Sequence, residues 1–562
     1  MQPAIGTSRD PKTERIFAAA TLLVAAVMCL RIVSTYFTFT QTYDEPFHIA
    51  CGMEWLDRGV YHYEAQHPPL SRIAAAIGPY LAGERSHGFA DPLEEGNAIL
   101  GEGARYKRNL ALARLGELPF VLLALAGVWV WARHSFGPRA AFFSAILFSM
   151  LPAVLAHGGL ATTDICATAT CTWAFYAYVS FLEEPALRSS LLLGFWTGLA
   201  LIAKFSALLF LGCGFLAISA VYMACTHSWR AAGVRNAILL ARLLAPALVV
   251  LILLVWACFR FTFAPLFPAD ELARRTADFA PALTQPGYIH TAVTRVPVPA
   301  GQFFRGLGQV WRHNKNGQWT YLLGQRSDSG WWYFFPVVLA IKTPLGFLVL
   351  MFCGMAALAL RLHGRDWRSS APMIFAIVIL LACLPSRLNI GVRHILPMYP
   401  PLSIAAGYFV AGLIARSRPL RAIFVCGCLL WCCVSSLLAH PDYLAYFNEV
   451  ASTHPEYYRV DSDLDWGQDL GRLSKRLQEL HAPSLALSYF GTADLTKSGL
   501  PETGDIFCDG RLSGYVAASA SMLYLFKPVW SKCPERFEEL RLAKPTERVG
   551  ASIFLYYFPP HN

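Results

Sequence analysis

The chain has 562 residues, 55% of them apolar and 15% charged, with a net charge of +10. Soluble domains carry roughly 25% charged residues, so the composition excludes an ordinary soluble protein and indicates a polytopic membrane protein. In a soluble chain the positive balance would suggest nucleic acid; here it is read through the distribution of Lys and Arg among short loops, and no nucleic acid is expected.

In chain order, apolar runs occur at Phe17 to Phe37, Leu115 to Trp131, Ala140 to Leu155, Ile165 to Phe181, Leu191 to Ala203 and Ala207 to Ala224, then at Leu243 to Cys258, Trp332 to Leu358, Pro372 to Leu384, Leu396 to Ile414 and Ala422 to Leu438. They predict a polytopic α-helical protein with about 11 transmembrane helices, some shorter than the roughly 17–25 residues that usually cross a bilayer. The first run is long and lacks a small-residue cleavage site, so it reads as an anchor. Leu191 to Ala224 is too long for one span and holds Lys204 near its middle. Two short helices joined by a tight outer turn are expected, because a charge at mid-membrane costs at least about 2.5–3.5 kcal/mol.

Placing the N-terminus in the cytoplasm puts Arg9, Lys12, Arg15, Arg133, Arg139, Arg188, Arg230, Arg235, Arg242, Arg361, Arg365, Arg368, Arg416, Arg418 and Arg421 in inner segments, against Lys204, Arg387 and Arg393 in short outer connections. Basic residues in short loops stay cytoplasmic. An odd number of spans then puts the C-terminus outside, consistent with a multi-pass protein of the inner (cytoplasmic) membrane.

Two outer loops, 38–114 and 259–331, are too long to be plain connectors. In the first, "EPFHIACGMEWLDRG" puts Phe47, Ala50, Cys51 and Trp55 on one face of a helix lying along the membrane, with Gly59 suited to its end. Residues 439–562 read as an extracytoplasmic small α/β domain following a membrane domain of residues 1–438. "SLALSYFG", "YVAASASMLYLF" and "ASIFLYYF" have strand character, the middle one strand or helix, and two charged amphipathic segments alternate with them. Cys508 and Cys533 fall in this region, where an oxidising compartment permits a disulfide that the cysteine count alone leaves open.

Asp44 and Glu45 emerge at the outer end of the first run in "YDEPFH", and Asp164 lies at another outer span end in "HGGLATTDICATAT". Solvated interfacial charge is the plain alternative for any such acid. Lys204 and Arg393 sit where positive charge is disfavoured, and Arg114 enters the second span; each alone could be snorkelling. As a set they suggest a site for an anionic head group at the outer surface. If the substrate is a sugar joined through phosphate to a membrane lipid, phosphate leaves as a stable anion that cations suffice to hold. The attacking hydroxyl still needs a base, which one carboxylate supplies.

"YDEPFH", followed about twenty residues later by "HPPLSR", resembles the first outer loop of the GT-C membrane glycosyltransferases of family 39, which include the protein O-mannosyltransferases and aminoarabinose transferases. "TTD" at Asp164, "GLALIAKFSALL", "WWYFFPVVLAIKTPL" and "GVRHILPMYPPLSIAAG" resemble further blocks of that family, and "HPDYLAYFNE" and "DSDLDWGQDL" resemble a bacterial branch. The resemblance covers about residues 16–470. It implies Asp44 as catalytic base, Glu45 supporting it or contacting the acceptor, and Asp164 orienting acceptor or base. It puts Arg114, Lys204 and Arg393 at the lipid phosphate, and His48, His67, Arg72 and His394 at acceptor or sugar; His67 reads equally as packing.

In "DSDLDWGQDL" the alternating aspartates faintly suggest a calcium loop, but counting from Asp461 the glycine comes one position late and Arg472 stands where the final Glu is needed. A capped helix start or an acceptor-facing loop is the favoured reading, with Asp465, Trp466 and Gln468 as sugar contacts. No metal site is expected, although a divalent ion is left open. The expected donor is a polyprenyl-phosphate sugar, and the expected other partners are a glycan, lipid or protein acceptor and membrane lipids. The central loop is too short for the β-trefoil module of eukaryotic protein mannosyltransferases, and the oligosaccharyltransferase signature "WWDYG" is absent. The resulting expectation is transfer of a single sugar, mannose or another hexose, onto an acceptor hydroxyl with inversion. A transporter or flippase of a lipid-linked or anionic solute is the rival reading, ranked lower because the notable charges gather at one face and no repeat is visible. A non-catalytic scaffold would leave the paired acids unexplained.

Overall fold

The computed structural model describes residues 11–226, 234–267, 287–415, 419–508 and 511–559. Arg9, Arg230, Arg416 and Arg418 of the inner basic set, and part of the 259–331 loop, lie outside the described residues.

Helix α1 (Pro11–Val33) is followed by α2 (Glu45–Met53), α3 (Pro69–Leu81) and α4 (Pro92–Leu100) of the first outer loop. Next, α5 (Gly103–Leu115) and α6 (Leu118–Phe136) run into one apolar stretch of 34 residues. Helices α7 (Pro138–Ser149) and α8 (Pro152–Gly158) follow one another with a bend of 69°. The bend has a local cause: Pro152 removes a helix donor and Leu151 before it is held extended at ψ 116°. Then come α9 (Asp164–Glu183), α10 (Leu187–Ala203), α11 (Ser206–Thr226) and α12 (Val234–Cys258).

Seven helical stretches among the described residues are long and apolar enough to cross a membrane, up to eight with the bent pair, and three shorter apolar helices accompany them. Each apolar run of the sequence has its helix, and the chain is a multi-pass membrane protein. As expected, α10 and α11 part at Lys204, which occupies the C-cap of α10. The run Trp332 to Leu358 is corrected: it is two helices, Phe334–Lys342 and Leu345–His363. Pro344 disfavours helical backbone at the residue before it, and Thr343 is extended (φ −115°, ψ 133°).

The first outer loop also departs from expectation. Rather than lying half-exposed, α2 is buried on almost every side, with only Phe47 partly open. Glycines allow this: a Cβ on Gly52 would collide with the carbonyl of Arg72 in α3, and one on Gly96 in α4 with that of Pro46. The helical path continues through Arg58 and ends at Gly59 in the left-handed region (φ 70°).

Two small hairpins, β1 (Phe263–Pro265) with β2 (Pro297–Pro299) and β3 (Thr320–Leu322) with β4 (Gln325–Ser327), precede a five-stranded C-terminal sheet. That sheet comprises β5 (Ser484–Ser488), β6 (Glu502–Asp505), β7 (Gly514–Ser519), β8 (Glu547–Val549) and β9 (Ile553–Phe558), in the order β6-β5-β7-β9-β8. Strand β5 is parallel to β6 and β7, while β9 is antiparallel to β7 and β8. Successive side chains point to opposite faces. Val516, Ala518, Phe554 and Tyr556 cluster with Phe537 and Leu540 of helix Pro534–Leu542, whereas Ala517, Ile553 and Leu555 cluster with Leu473 and Leu477 of helix Leu470–Glu479. The first face also packs against Tyr321 of β3, Ile341 of helix Phe334–Lys342, and Phe447, Val460 and Leu464. Cys508 and Cys533 form a disulfide.

Candidate active site

The expected outer charges separate into two groups. Asp44 precedes the first residue of α2, and its carboxylate is 30% exposed. One oxygen accepts a hydrogen bond from Arg393 Nη1 at 2.7 Å. Arg393 belongs to a 3-10 turn, Val392–Met398, and its guanidinium lies over the Trp466 ring at 4.2 Å. The edge of Trp466 meets His157 of α8 at 6.2 Å between ring centroids, and His157 Nδ1 is 3.9 Å from Asp164 Oδ2. Asp164 Oδ1 accepts from Lys204 Nζ at 2.5 Å. One continuous cluster therefore joins Asp44, Arg393, Asp164 and Lys204, by way of Trp466 and His157, across six segments of the chain.

Local structure favours each charge where it stands. Asp164 opens α9, where the helix dipole stabilises an anion, and Lys204 closes α10, where it stabilises a cation. Val392 begins the 3-10 turn by donating its N–H to Asp463 Oδ1 at 3.0 Å. Gly391 makes that possible, since it has φ 98° and a Cβ there would strike the Asp463 carboxylate. Asp463 in turn takes Nε of the buried Arg459 at 3.1 Å.

Glu45 and Arg114 form the second group. Both are fully buried and paired through Nε at 2.8 Å and Nη2 at 2.9 Å. Glu45 also accepts from Thr42 N at 2.7 Å and Ala161 N at 3.0 Å. Burial alone would raise its carboxyl, but Arg114 and the backbone donors outweigh that and hold it below the usual range. Arg114 directs its remaining donors to the carbonyls of Tyr36, Phe39 and Thr40. All five guanidinium N–H groups are thus used. The expectation that Arg114 binds a lipid phosphate is corrected on this ground, and Glu45 likewise has no face open to an acceptor.

Arg72, also expected to touch the acceptor, is buried and donates to His48 Nδ1 at 3.2 Å, Tyr61 Oη at 2.8 Å and the carbonyl and carboxylate of Glu64. Burial, reinforced by the Arg72 charge, keeps the His48 imidazole well below its ordinary value, so it is neutral and able to accept that bond. His67 is half-buried, with Nδ1 3.2 Å from Glu64 and its ring edge-on to His48 at 5.3 Å. Burial would raise the Glu64 carboxyl, but Arg72 and His67 hold it well below the usual range. His394 packs between Phe335, stacked at 5.3 Å, and Phe210, edge-on at 5.9 Å.

The DSDLDWGQDL segment is a buttress, which corrects the expected sugar contacts. Asp465 is buried and accepts from Ser521 N at 2.7 Å; Gln468 accepts from Trp466 N at 2.8 Å and donates to the Leu464 carbonyl. Trp466 is buried beneath Arg393. The four aspartates diverge: Asp461 and Asp463 face Arg459, Asp465 faces Ser521, and Asp469 takes Ser552 and Arg472. Among the described residues no group of three or more His, Cys, Asp or Glu could hold a metal ion.

His157, Glu64 and Arg459 were not singled out by the sequence, and Asp463 was weighed only as one of the alternating aspartates of a calcium loop. An isolated histidine in "LPAVLAHGGLATTD" and an acid three residues before His67 were the available signals. Neither ring nitrogen of His157 has a hydrogen-bond partner among the described residues.

Residues 107–257 match the family described as dolichyl-phosphate-mannose-protein mannosyltransferase. No curated protein matches the chain. Its fold is similar to that of ArnT from Cupriavidus metallidurans bound to undecaprenyl phosphate, with 13% identity and a TM-score of 0.50 over 95% of this chain and 97% of that one. The apo form of ArnT aligns at 14% identity and a TM-score of 0.48, over 95% and 97% of the two chains. The oligosaccharyltransferase AglB from Archaeoglobus fulgidus, in complex with an inhibitory peptide and a dolichol-phosphate, aligns at 11% identity and a TM-score of 0.48, over 90% of this chain and 69% of that one. The chain is thus a multi-pass membrane protein whose fold is similar to that of ArnT over nearly its whole length, and its residues 107–257 match the family described as dolichyl-phosphate-mannose-protein mannosyltransferase.

Proposed function

We propose that the chain transfers one sugar, mannose or another hexose, from a polyprenyl-phosphate carrier to an acceptor hydroxyl with inversion. The reaction would run on the outer face of the inner membrane, with the N-terminus cytoplasmic and residues 439–562 as an extracytoplasmic module beside the membrane domain of residues 1–438. The observation that carries this reading is the single cluster of two acids and two cations, with Asp44 on Arg393 at 2.7 Å and Asp164 on Lys204 at 2.5 Å. The undecaprenyl phosphate bound by ArnT supports a lipid-phosphate donor.

In this mechanism the acceptor oxygen attacks the anomeric carbon while the bond to the phosphate oxygen breaks, and Asp44 takes the acceptor proton. The departing lipid phosphate keeps the bonding electron pair and is held by Arg393 and Lys204, so no general acid is required. Arg393 has donors left for a phosphate: besides Asp44 it donates only Nε, to the Ile390 carbonyl, and its Nη2 has no acceptor among the described residues. A phosphate arriving on Arg393 competes with Asp44, so loading the donor releases the base to meet the acceptor. Asp164 keeps Lys204 oriented, and His157 borders both.

The test uses protein purified into nanodiscs with a polyprenyl-phosphate-linked hexose. Asp44→Asn should reduce transfer at least about a hundredfold, the lower end of what a general base contributes, while membrane insertion and donor binding persist. Wild-type turnover by that variant refutes the assignment. Mass spectrometry of lipid-linked sugars accumulating in a deletion strain identifies the donor.

A further inference from the structure

A cavity of about 1050 Å³ lies between the first outer loop and the C-terminal module. It is separate from the cluster of charges just described. Its floor is the turn and loop segment 36–41, one wall is α4 with the start of α5, and the opposite wall is helix Leu470–Glu479 with residues 493–498. The two walls are tied together: Asn97 Nδ2 donates to the Thr492 carbonyl at 2.8 Å, Gly471 N to Thr40 Oγ1 at 2.8 Å, and Lys497 pairs with Glu102 at 3.0 Å. The space is therefore built by the fold, and its volume is at the upper end of small-molecule sites.

We propose that this cleft holds the acceptor, and that the acceptor is a neutral oligosaccharide or the neutral saccharide part of an envelope glycoconjugate. The proposal rests on the glycosyltransferase reading above and names its second substrate. Charge argues for a neutral ligand, because Asp91 and Glu94 are matched by Lys107 and Lys475 around the walls. Polar chemistry argues for a saccharide. Asn97, Ser474, Gln478 and Ser498 line the walls and offer the kind of hydrogen-bonding groups that sugar hydroxyls use. Phe89 and Tyr106 add the aromatic surface on which sugar rings pack. A peptide bound by strand addition needs a sheet edge, but two helices form the walls; an acyl chain would strand the polar groups. Reach is also right. Gln41 is three residues from Asp44, so their Cα atoms are at most about 11 Å apart, close enough for a saccharide seated on the floor to extend a hydroxyl toward the base.

The test uses the full chain in detergent or nanodiscs and fills the cleft from either wall with Ala98→Trp or Ala493→Trp, both distant from the charged cluster in sequence. The probes are neutral glucose and N-acetylglucosamine tetrasaccharides, an anionic uronic acid tetrasaccharide, and an unstructured Ser-rich peptide, with binding read by saturation-transfer NMR. A neutral tetrasaccharide should bind wild type and Asp44→Asn alike, and at least tenfold more weakly to either Trp variant. In turnover, the Trp variants should raise KM for a saccharide acceptor at least tenfold and leave KM for the donor unchanged. The proposal is overturned if no neutral saccharide binds, if the peptide or the anionic sugar is preferred, or if both folded Trp variants bind and turn over as wild type. Full transfer by Asp44→Asn would instead bring down the catalytic reading beneath it, so the two failures are distinguishable.

Discussion

Asp44 and Glu45 are neighbours in sequence and each meets an arginine, yet the two pairs differ in every respect that matters for chemistry. Glu45 has no exposure, and its arginine has all five donors committed to protein acceptors. Asp44 is 30% exposed, and its arginine, 14% exposed, holds two protein acceptors and a tryptophan face. The first pair is a strut joining the 36–45 segment to α5 and, through Ala161 N, to the approach to Asp164. On the proposed reading the second is exchangeable: a lipid phosphate would replace the partly exposed Asp44 on Arg393. Adjacent acids can thus divide the labour: one fixes the loop so that the other is presented at a fixed place.

The largest effect tests the strut. Arg114→Ala leaves the Glu45 carboxylate buried without its cation, a class of change that costs about 3–5 kcal/mol. Little folded protein should survive detergent extraction, as read by size-exclusion chromatography, and a monodisperse variant melting near wild type would remove the distinction. Arg393→Ala probes the exchangeable pair. Its partner Asp44 is 30% exposed and can be rehydrated, but Arg393 is itself only 14% exposed and covers Trp466, so the melting temperature should fall, by less than in Arg114→Ala. A charge-assisted hydrogen bond of about 1.5–3 kcal/mol lost to the phosphate should weaken binding of the polyprenyl-phosphate donor about ten- to a hundredfold. Donor affinity within twofold of wild type would exclude Arg393 from the phosphate. Glu64→Gln is intermediate. It keeps a hydrogen-bond acceptor for Arg72 but removes the charge facing a buried guanidinium, so stability should fall by about 1–3 kcal/mol while activity stays within about tenfold. An unchanged melting curve would show that His48 and Tyr61 hold Arg72 unaided.

How far all this was legible in the sequence follows the same division. The helices were readable because apolar runs of membrane length report burial directly, and α10 and α11 were separable because a mid-run Lys204 has one low-energy location, a helix end. Strands β5, β7 and β9 carried enough apolar residues to be seen, whereas β6 is exposed along its whole length and β8 has three residues. Among site residues, sequence could name charged positions near the outer surface but not their partners. Arg114 and Arg393 look alike as letters in a chain, and only three-dimensional counting of acceptors separates a saturated guanidinium from an available one. Trp466 looked like a sugar platform because the sequence cannot reveal that an arginine already covers its face.

A third carboxylate extends the comparison, and its effect is read through pH. Asp465 is fully buried like Glu45, but its partners are Ser521 N and Gly467 N, and no basic side chain bonds it among the described residues. Burial, only partly offset by those donors, raises its carboxyl to about 7. The sign follows from linkage. An unfolded aspartate titrates near 3.9, so between about pH 4 and pH 7 the folded chain binds more protons than the unfolded one, and stability falls as pH rises. The contribution is fully present below about pH 4 and lost as pH passes through about 7; at 1.36 kcal/mol per pH unit it amounts to about 4 kcal/mol at most. Asp465→Asn should flatten this component: the melting temperature of the detergent-solubilised variant, relative to wild type, should rise steadily from pH 5 to pH 7.5 and then level off. A constant difference across that range would mean that Asp465 ionises in the folded chain as readily as in water, and that the serine and glycine donors around it stabilise its charge as Arg114 stabilises that of Glu45.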